Sequence, residues 1–198
     1  MTTKVNILFD GGFFYVKFNE KYKKAPSAKD VVKEVEKIMS LVREKTGTDT
    51  EDILFRVYYY DCKPFGGNVT KYNGNEKIDY SESPLFKKKE TFLHELSLSE
   101  KFAVRLGELS FDGWKHDRHN VKKYKPDFKQ KGVDMKVGLD MALMGMKHLV
   151  DKIVLVAGDS DFITPIKFVR KEGLLVYLYS MGHKVKSKLK EHCDYILT

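Results

Sequence analysis

No apolar run in the 198 residues approaches the ~20 positions that a membrane-spanning helix requires. The N-terminus, MTTKVNILFD, lacks the basic and then apolar pattern of a secretory leader. The sequence therefore predicts a soluble, cytoplasmic protein with no membrane partner. Only two cysteines are present, Cys62 and Cys193. Two thiols build neither a disulfide framework nor a four-cysteine zinc site, and free thiols in a reducing compartment are the expectation. No GxGxxG follows the first apolar run, which argues against a dinucleotide-binding domain. Ser160 stands between two acids, but no histidine is identifiable as its base, so a hydroxyl contact or a helix cap is the role expected of it. Internal repeats and linkers are missing too, and residues 1–198 read as a single domain.

What is present suits a packed core. Hydrophobic residues make up 42% and aromatics 13%, too much for disorder over most of the chain. The net charge is +8 and the isoelectric point about 9.2. That balance favours a polyanionic partner without requiring one. Apolar runs at 5–9, 53–60, 154–157 and 174–179 read as strands, with further strands expected at 102–109 and 195–197. Helical spacing of Val31, Val35, Ile38, Met39 and Val42 predicts a helix begun by Ser27 or Asp30 and stopped by Gly47. Other helices are expected at 84–98, 134–150, 162–171 and near 184–192. In the helix at 134–150, Val137, Met141 and Met144 with Leu139, Leu143 and Met146 cover most of the circumference. Residues 66–82 read as a loop. Residues 111–131 read as a basic, aromatic excursion from the sheet, with a hairpin as its expected form. Alternating strands and helices predict an α/β fold, a mainly parallel sheet with helices on both faces.

The sequence VLVAGDSDFITPI (154–166) ends an apolar strand and then presents Asp159 and Asp161. Asp10 likewise follows the first strand, and Asp134 opens a helix after Gly132 and Val133. In parallel sheets, sites lie beyond the C-terminal ends of the strands, where strand order reverses. Clustered carboxylates repel one another, and a hard divalent cation such as Mg²⁺ or Mn²⁺ removes that penalty. Singly, each acid also serves as a helix cap or a turn residue. Asp140 lies on a narrow polar arc with Lys136 and Lys147. It reads either as half of a solvated ion pair or as a carboxylate reaching the crevice.

With these residues assembled, the chain resembles the NYN family, in particular its LabA-like branch, within the PIN-like nuclease superfamily. The matching segments are NILFDGGFFY (6–15), YYYDCKPF (58–65), KGVDMKVGLDMAL (131–143), VLVAGDSDFITPIKFVRKEG (154–173) and SKLKEHCDYIL (187–197). The resemblance is poor over about 66–129. It implies a PIN-like α/β/α sandwich and metal-dependent ribonuclease chemistry. It also implies Asp10, Asp134, Asp159 and Asp161 as catalytic acids and ligands of Mg²⁺ or Mn²⁺, with Asp140 a further matching acid. Asp61 matches a Tyr-Asp pair after the second strand. Many relatives carry Asn two or three residues after the first Asp, where this chain has Gly12 and Phe13.

Lysines interleave with aromatics over 111–131, the composition that holds single-stranded RNA by phosphate contact and base stacking. Candidate contacts are Lys131, Lys136, Trp114, Lys122, Lys123 and Tyr124. The alternative is a solvated loop anchored by its aromatics. DNA as the partner and a homodimer both stay open. His116 and His119 alone make a weak metal pair. Against the nuclease reading stands a non-catalytic RNA-binding or assembly module that keeps the fold. A haloacid-dehalogenase-like phosphatase is disfavoured, because Gly12 occupies the place of its second acid.

Overall fold

The computed structural model describes residues 1–47, 50–117, 120 and 123–198. Lys122 and His119 lie outside the described residues. The elements run β1 (Thr2–Asp10), α1 (Gly11–Tyr22), α2 (Ala28–Thr46), β2 (Glu51–Cys62), β3 (Asn68–Thr70), β4 (Lys77–Asp79), α3 (Pro84–Leu98) and β5 (Phe102–His116). They continue with β6 (Tyr124–Lys131), α4 (Val133–Met146), β7 (Lys152–Val156), α5 (Ile163–Lys171), β8 (Leu175–Tyr179), α6 (Ser187–Lys190) and β9 (Tyr195–Leu197). Short 3-10 turns at Tyr80–Glu82 and Ser160–Phe162 precede α3 and α5.

Seven strands form one sheet in the order β6-β5-β2-β1-β7-β8-β9. Every neighbouring pair is parallel except β5–β6, an antiparallel ribbon. The chain lays β1 at the centre and builds outward through β2 and β5. It then crosses back over α4 to place β7 on the other side of β1. Strand order therefore reverses between β1 and β7, and the C-terminal ends of these two strands flank the switch point.

Alternation sorts the side chains onto two faces. Val5, Ile7 and Phe9 of β1 pack with Val57, Tyr59, Val154 and Val156 under α1, α2 and α3. Leu8, Tyr60, Ile153, Leu155 and Ala157 pack under α4, α5 and α6. The result is the α/β/α sandwich expected, consistent with a PIN-like architecture. α2 starts at a reciprocal cap: Ser27 Oγ accepts from Asp30 N at 3.2 Å, and Asp30 accepts from Ser27 N at 3.0 Å. Both cap candidates thus take part. At the opposite edge of the sheet, the buried Lys152 ammonium bonds the buried Asp52 carboxylate, which also accepts from Thr3.

Several expectations change. α1 was unforeseen, because Asp10-Gly11-Gly12 reads as a turn and the apolar residues behind it run together instead of at helical spacing. Residues 66–82 are not a loop throughout: β3 and β4 pair antiparallel there. These three-residue strands are too short to show in sequence, and tertiary contacts fix them. The strand expected at 102–109 continues to His116, and β6 confirms the hairpin within 111–131. α4 ends at Met146, before 150, and buries only one stripe: Val137, Met141 and Met144 are buried, whereas Leu139, Leu143 and Met146 are exposed. No helix among the described residues is long and apolar enough to cross a membrane.

Candidate active site

The crevice beyond β1 and β7 is built by glycines as much as by acids. Gly11 opens α1 directly against β2. A Cβ there would lie 2.6 Å from the Tyr60 carbonyl oxygen and 2.9 Å from Asp61 Oδ2. Only glycine lets the helix begin this close to the strand, and the preceding residue, Asp10, is thereby held at the sheet's edge. Gly107 of β5 does the same for α4, since a Cβ there would meet the Lys131 carbonyl oxygen at 2.5 Å. The chain then turns through Gly132, whose φ of 78° suits glycine. Val133 is buried, and Asp134 falls in the first turn of α4.

Asp10 is the N-cap of α1, its Oδ1 accepting from Phe13 N at 3.1 Å. Its pKa is raised to about 6, first by burial and then by the charges of Asp134 and Asp61, against the lowering effect of the Phe13 and Gly12 N–H groups. Asp134 is also pushed up, by burial and then by Asp159 and Asp161. The acids therefore feel one another across the switch point. Asp159 caps the turn after β7, accepting from Asp161 N at 3.1 Å. Phe13 lies across the end of that strand: a Cβ on Gly158 would sit 2.5 Å from its ring. The position where relatives carry Asn is thus a wall joining α1 to β7.

Asp140 has other partners. Arg105 donates to both its oxygens, Nε and Nη2 each at 3.1 Å, and the Tyr60 hydroxyl donates at 3.0 Å. These bonds tie α4 to β5 and β2, and they stand in place of the solvated lysine pair that was one of the two readings of Asp140. Asp61 is buried, accepts from Cys62 N at 2.7 Å and pairs with Lys89 of α3. Lys131 ends β6 beside the crevice, and Lys136 is exposed on α4. Trp114, Lys123 and Tyr124 lie farther out, on the β5–β6 ribbon. His116 packs its ring on Tyr124, with centroids 4.4 Å apart. Sequence reasoning did not find Arg105, Lys89 or Gln130. Gln130 sits at the base of the ribbon, its Nε2 3.8 Å from where a Gly12 Cβ would stand, a point itself 3.5 Å from Asp10 Oδ1. None of the three has a local signal, because each meets the site only through pairing of distant elements.

Asp10 is partly buried, and Asp134 is pushed up by burial and by Asp159 and Asp161, which are exposed; mutually repelling carboxylates of this kind suit a hard divalent cation. Among the described residues, no group of three or more acids, histidines or cysteines stands ready to enclose an ion directly. A cation that keeps several of its own waters and takes one or two carboxylates fits this arrangement.

Residues 101–198 match the model of the NYN domain, a segment that contains Asp134, Asp140, Asp159 and Asp161. No curated protein matches the sequence. In fold, the chain is similar to the crystal structure of a protein of unknown function, VPA0982, from Vibrio parahaemolyticus. The two are 16% identical with a TM-score of 0.50 over 98% of this chain and 91% of that one, a likeness of fold alone. The segment from β5 to β9 is thus NYN-like in sequence, and it lies on an α/β/α sandwich.

Proposed function

We propose that the protein is a divalent-metal-dependent ribonuclease that hydrolyses phosphodiester bonds of single-stranded RNA. The observation that carries this reading is the placement of acids at the β1/β7 switch point, where burial first, and then neighbouring carboxylates, raise Asp10 to about 6 and also raise Asp134. Asp10, Asp134, Asp159 and Asp161 are the residues that would hold Mg²⁺ or Mn²⁺. When bound, such an ion supplies charge neutralisation on the phosphate and an activated water. The chain's own residues orient the substrate. Lys131 and Lys136 flank the crevice with positive charge, and Phe13 closes it on the β7 side. Asp140 acts as a positioning residue, fixing α4 and therefore Asp134 through Arg105 and Tyr60. Within the NYN family we infer a relation to the LabA-like branch, from the motifs at both ends of the chain. RNA over DNA, and the cytoplasm as the compartment, belong to the same reading.

Phe13, an apolar ring packed against Gly158 near the place where the resembled family carries Asn, favours a second reading, a non-catalytic RNA-binding module. End-labelled single-stranded RNA incubated with Mn²⁺, with and without EDTA, separates the two. Cleavage that EDTA stops, and that Asp10→Asn, Asp134→Asn and Asp159→Asn each abolish in a folded protein, is expected. Binding without cleavage supports the module, and full activity in the triple variant overturns the assignment.

A further inference from the structure

The β5–β6 ribbon does not end at the sheet. The last residues of β2 pair with β5 only as far as Cys62 opposite Gly107, whereas β5 and β6 pair from Glu108–Lys131 out to His116–Tyr124. The ribbon therefore projects beyond the same C-terminal edge that carries the acids. Its base touches the crevice through Gln130, beside Gly12 and Asp10. Its tip is roughly 23 Å farther along β6, at about 3.3 Å per residue.

At that tip the β3–β4 hairpin leans on the ribbon. The Trp114 indole Nε1–H donates to the Thr70 carbonyl at 3.0 Å, joining the two. Tyr72, from the turn between β3 and β4, stacks on Tyr124 with centroids 4.5 Å apart and planes at 21°. Trp114 packs edge-on to Tyr72 at 6.2 Å. A stacked aromatic pair inside a core is ordinary packing, but this one is not in the core: Tyr72 is 56% exposed and Tyr124 39% exposed. Lys71 and Lys123 adjoin the two tyrosines in sequence. Lys71 is paired to Glu76, and Lys115 and Lys129 farther down the ribbon also carry acid partners. Exposed pairs of this kind are weak and exchange readily for a phosphate. Tyr124 itself is flanked by His116, at 4.4 Å, and by Tyr72, so what the ribbon offers is the outer face of Tyr72 more than unbalanced charge.

We propose that Tyr72, backed by Tyr124, presents a stacking platform for the bases of a single-stranded nucleic acid whose backbone runs down the ribbon to the carboxylate crevice. Stacking on aromatic faces is tolerant of sequence because every base has a π-face, and it reads unpaired bases only. The platform rests on the nuclease reading for its orientation toward the crevice, not for its binding. A duplex hides its base faces and has no use for exposed tyrosines. The geometry also implies a length requirement: a strand must span from the crevice to the tip before it engages both.

Trp114 is the only tryptophan in the chain, so its fluorescence reports on the platform directly. The full-length protein is titrated with a 20-residue oligouridylate in EDTA, where no metal-dependent cleavage occurs. Saturable change in Trp114 emission is expected. Tyr72→Ala and Tyr124→Ala should each weaken binding about 5- to 100-fold, while Tyr72→Phe, which keeps the ring and loses the hydroxyl, should bind like wild type. Circular dichroism identifies any alanine variant that has lost its fold, and Tyr72→Ser then replaces it. A four-residue oligouridylate, too short to reach from the tip to the crevice, should bind more weakly than the 20-residue strand and still be weakened by Tyr72→Ala. An oligodeoxythymidylate that is also weakened by Tyr72→Ala supports the same platform, since stacking needs no 2′-hydroxyl. Unchanged affinity in folded Tyr72→Ala, or duplex RNA of equal length bound as tightly as the single strand, overturns the proposal. Loss of cleavage with retained Tyr72-dependent binding would reject the nuclease reading and leave the platform standing.

Discussion

Asp10 combines two tasks at one carboxyl, capping α1 and facing the other acids, and the second works against the stability of the fold. Its folded pKa of about 6 lies above the ordinary 3.8. Between about pH 4 and pH 6 the native state therefore holds more protons than the unfolded chain, and stability falls as pH rises through that window. The penalty is fully developed above about pH 6. Asn caps a helix as well as Asp does and carries no charge. Asp10→Asn should consequently stabilise the protein by up to about 2 kcal/mol at pH 7.5 and by little at pH 4, while abolishing cleavage. Thermal unfolding of both proteins across pH 4–8 measures this; an Asn variant less stable at pH 7.5 would show that the carboxylate is not under repulsion. At this scale the sequence was informative about which acids end strands or open helices and uninformative about their partners. Asp10, Asp134 and Asp159 announce themselves by following apolar strands or glycine turns. Asp140 does not, because Arg105 lies 35 positions away and reaches it only once β5 and α4 pack together.

The elements that mount the site are positioned by contacts that only glycine permits. At Gly107 a side chain would strike backbone, the Lys131 carbonyl oxygen, not the yielding end of a neighbour. Gly107→Ala should therefore shift the β6–α4 junction and with it Asp134. A displacement near 1 Å costs catalysis about 100-fold, and kcat/KM should fall by roughly that factor while circular dichroism stays native. Unaltered kcat/KM would mean that the junction does not position the acid. Strong local patterns were legible here: the fully buried β7, and α2 with Ser27 and Asp30 in a reciprocal cap. The β3–β4 hairpin was not. Phe65, Tyr80, Phe111 and Phe128 pack together, with ring centroids 5.3–6.2 Å apart, and this cluster from four separate segments supplies what the short strands lack. α1 was hidden by the two glycines that make its start possible.

Across the whole molecule, the two edges of the sheet divide the labour. The C-terminal edge gathers unbalanced acids and the projecting ribbon, while the N-terminal edge is closed by the buried Lys152–Asp52 pair. Burial alone would raise the Asp52 pKa; bonds from Lys152, Thr3 and Thr46 outweigh it and hold the group below its ordinary value. Its contribution to stability is therefore present above about pH 4 and is lost as pH falls through the lowered value. Lys152→Met leaves a buried carboxylate without its counter-charge and should cost about 3–5 kcal/mol in urea unfolding, with cleavage per folded molecule unchanged. A large loss of kcat at full folding would instead link the two edges. The central claim concerns the other edge: acids distant in the chain meet closely enough to share one doubly charged ion. Calorimetric titration of Mn²⁺ at pH 6, in two buffers of different ionisation enthalpy, tests it most directly. With Asp10 near half-protonated, binding should release about half a proton, and Asp10→Asn should bind more weakly and release almost none. Identical heats and proton release in the wild type and in the Asp10→Asn/Asp134→Asn double variant would contradict the account.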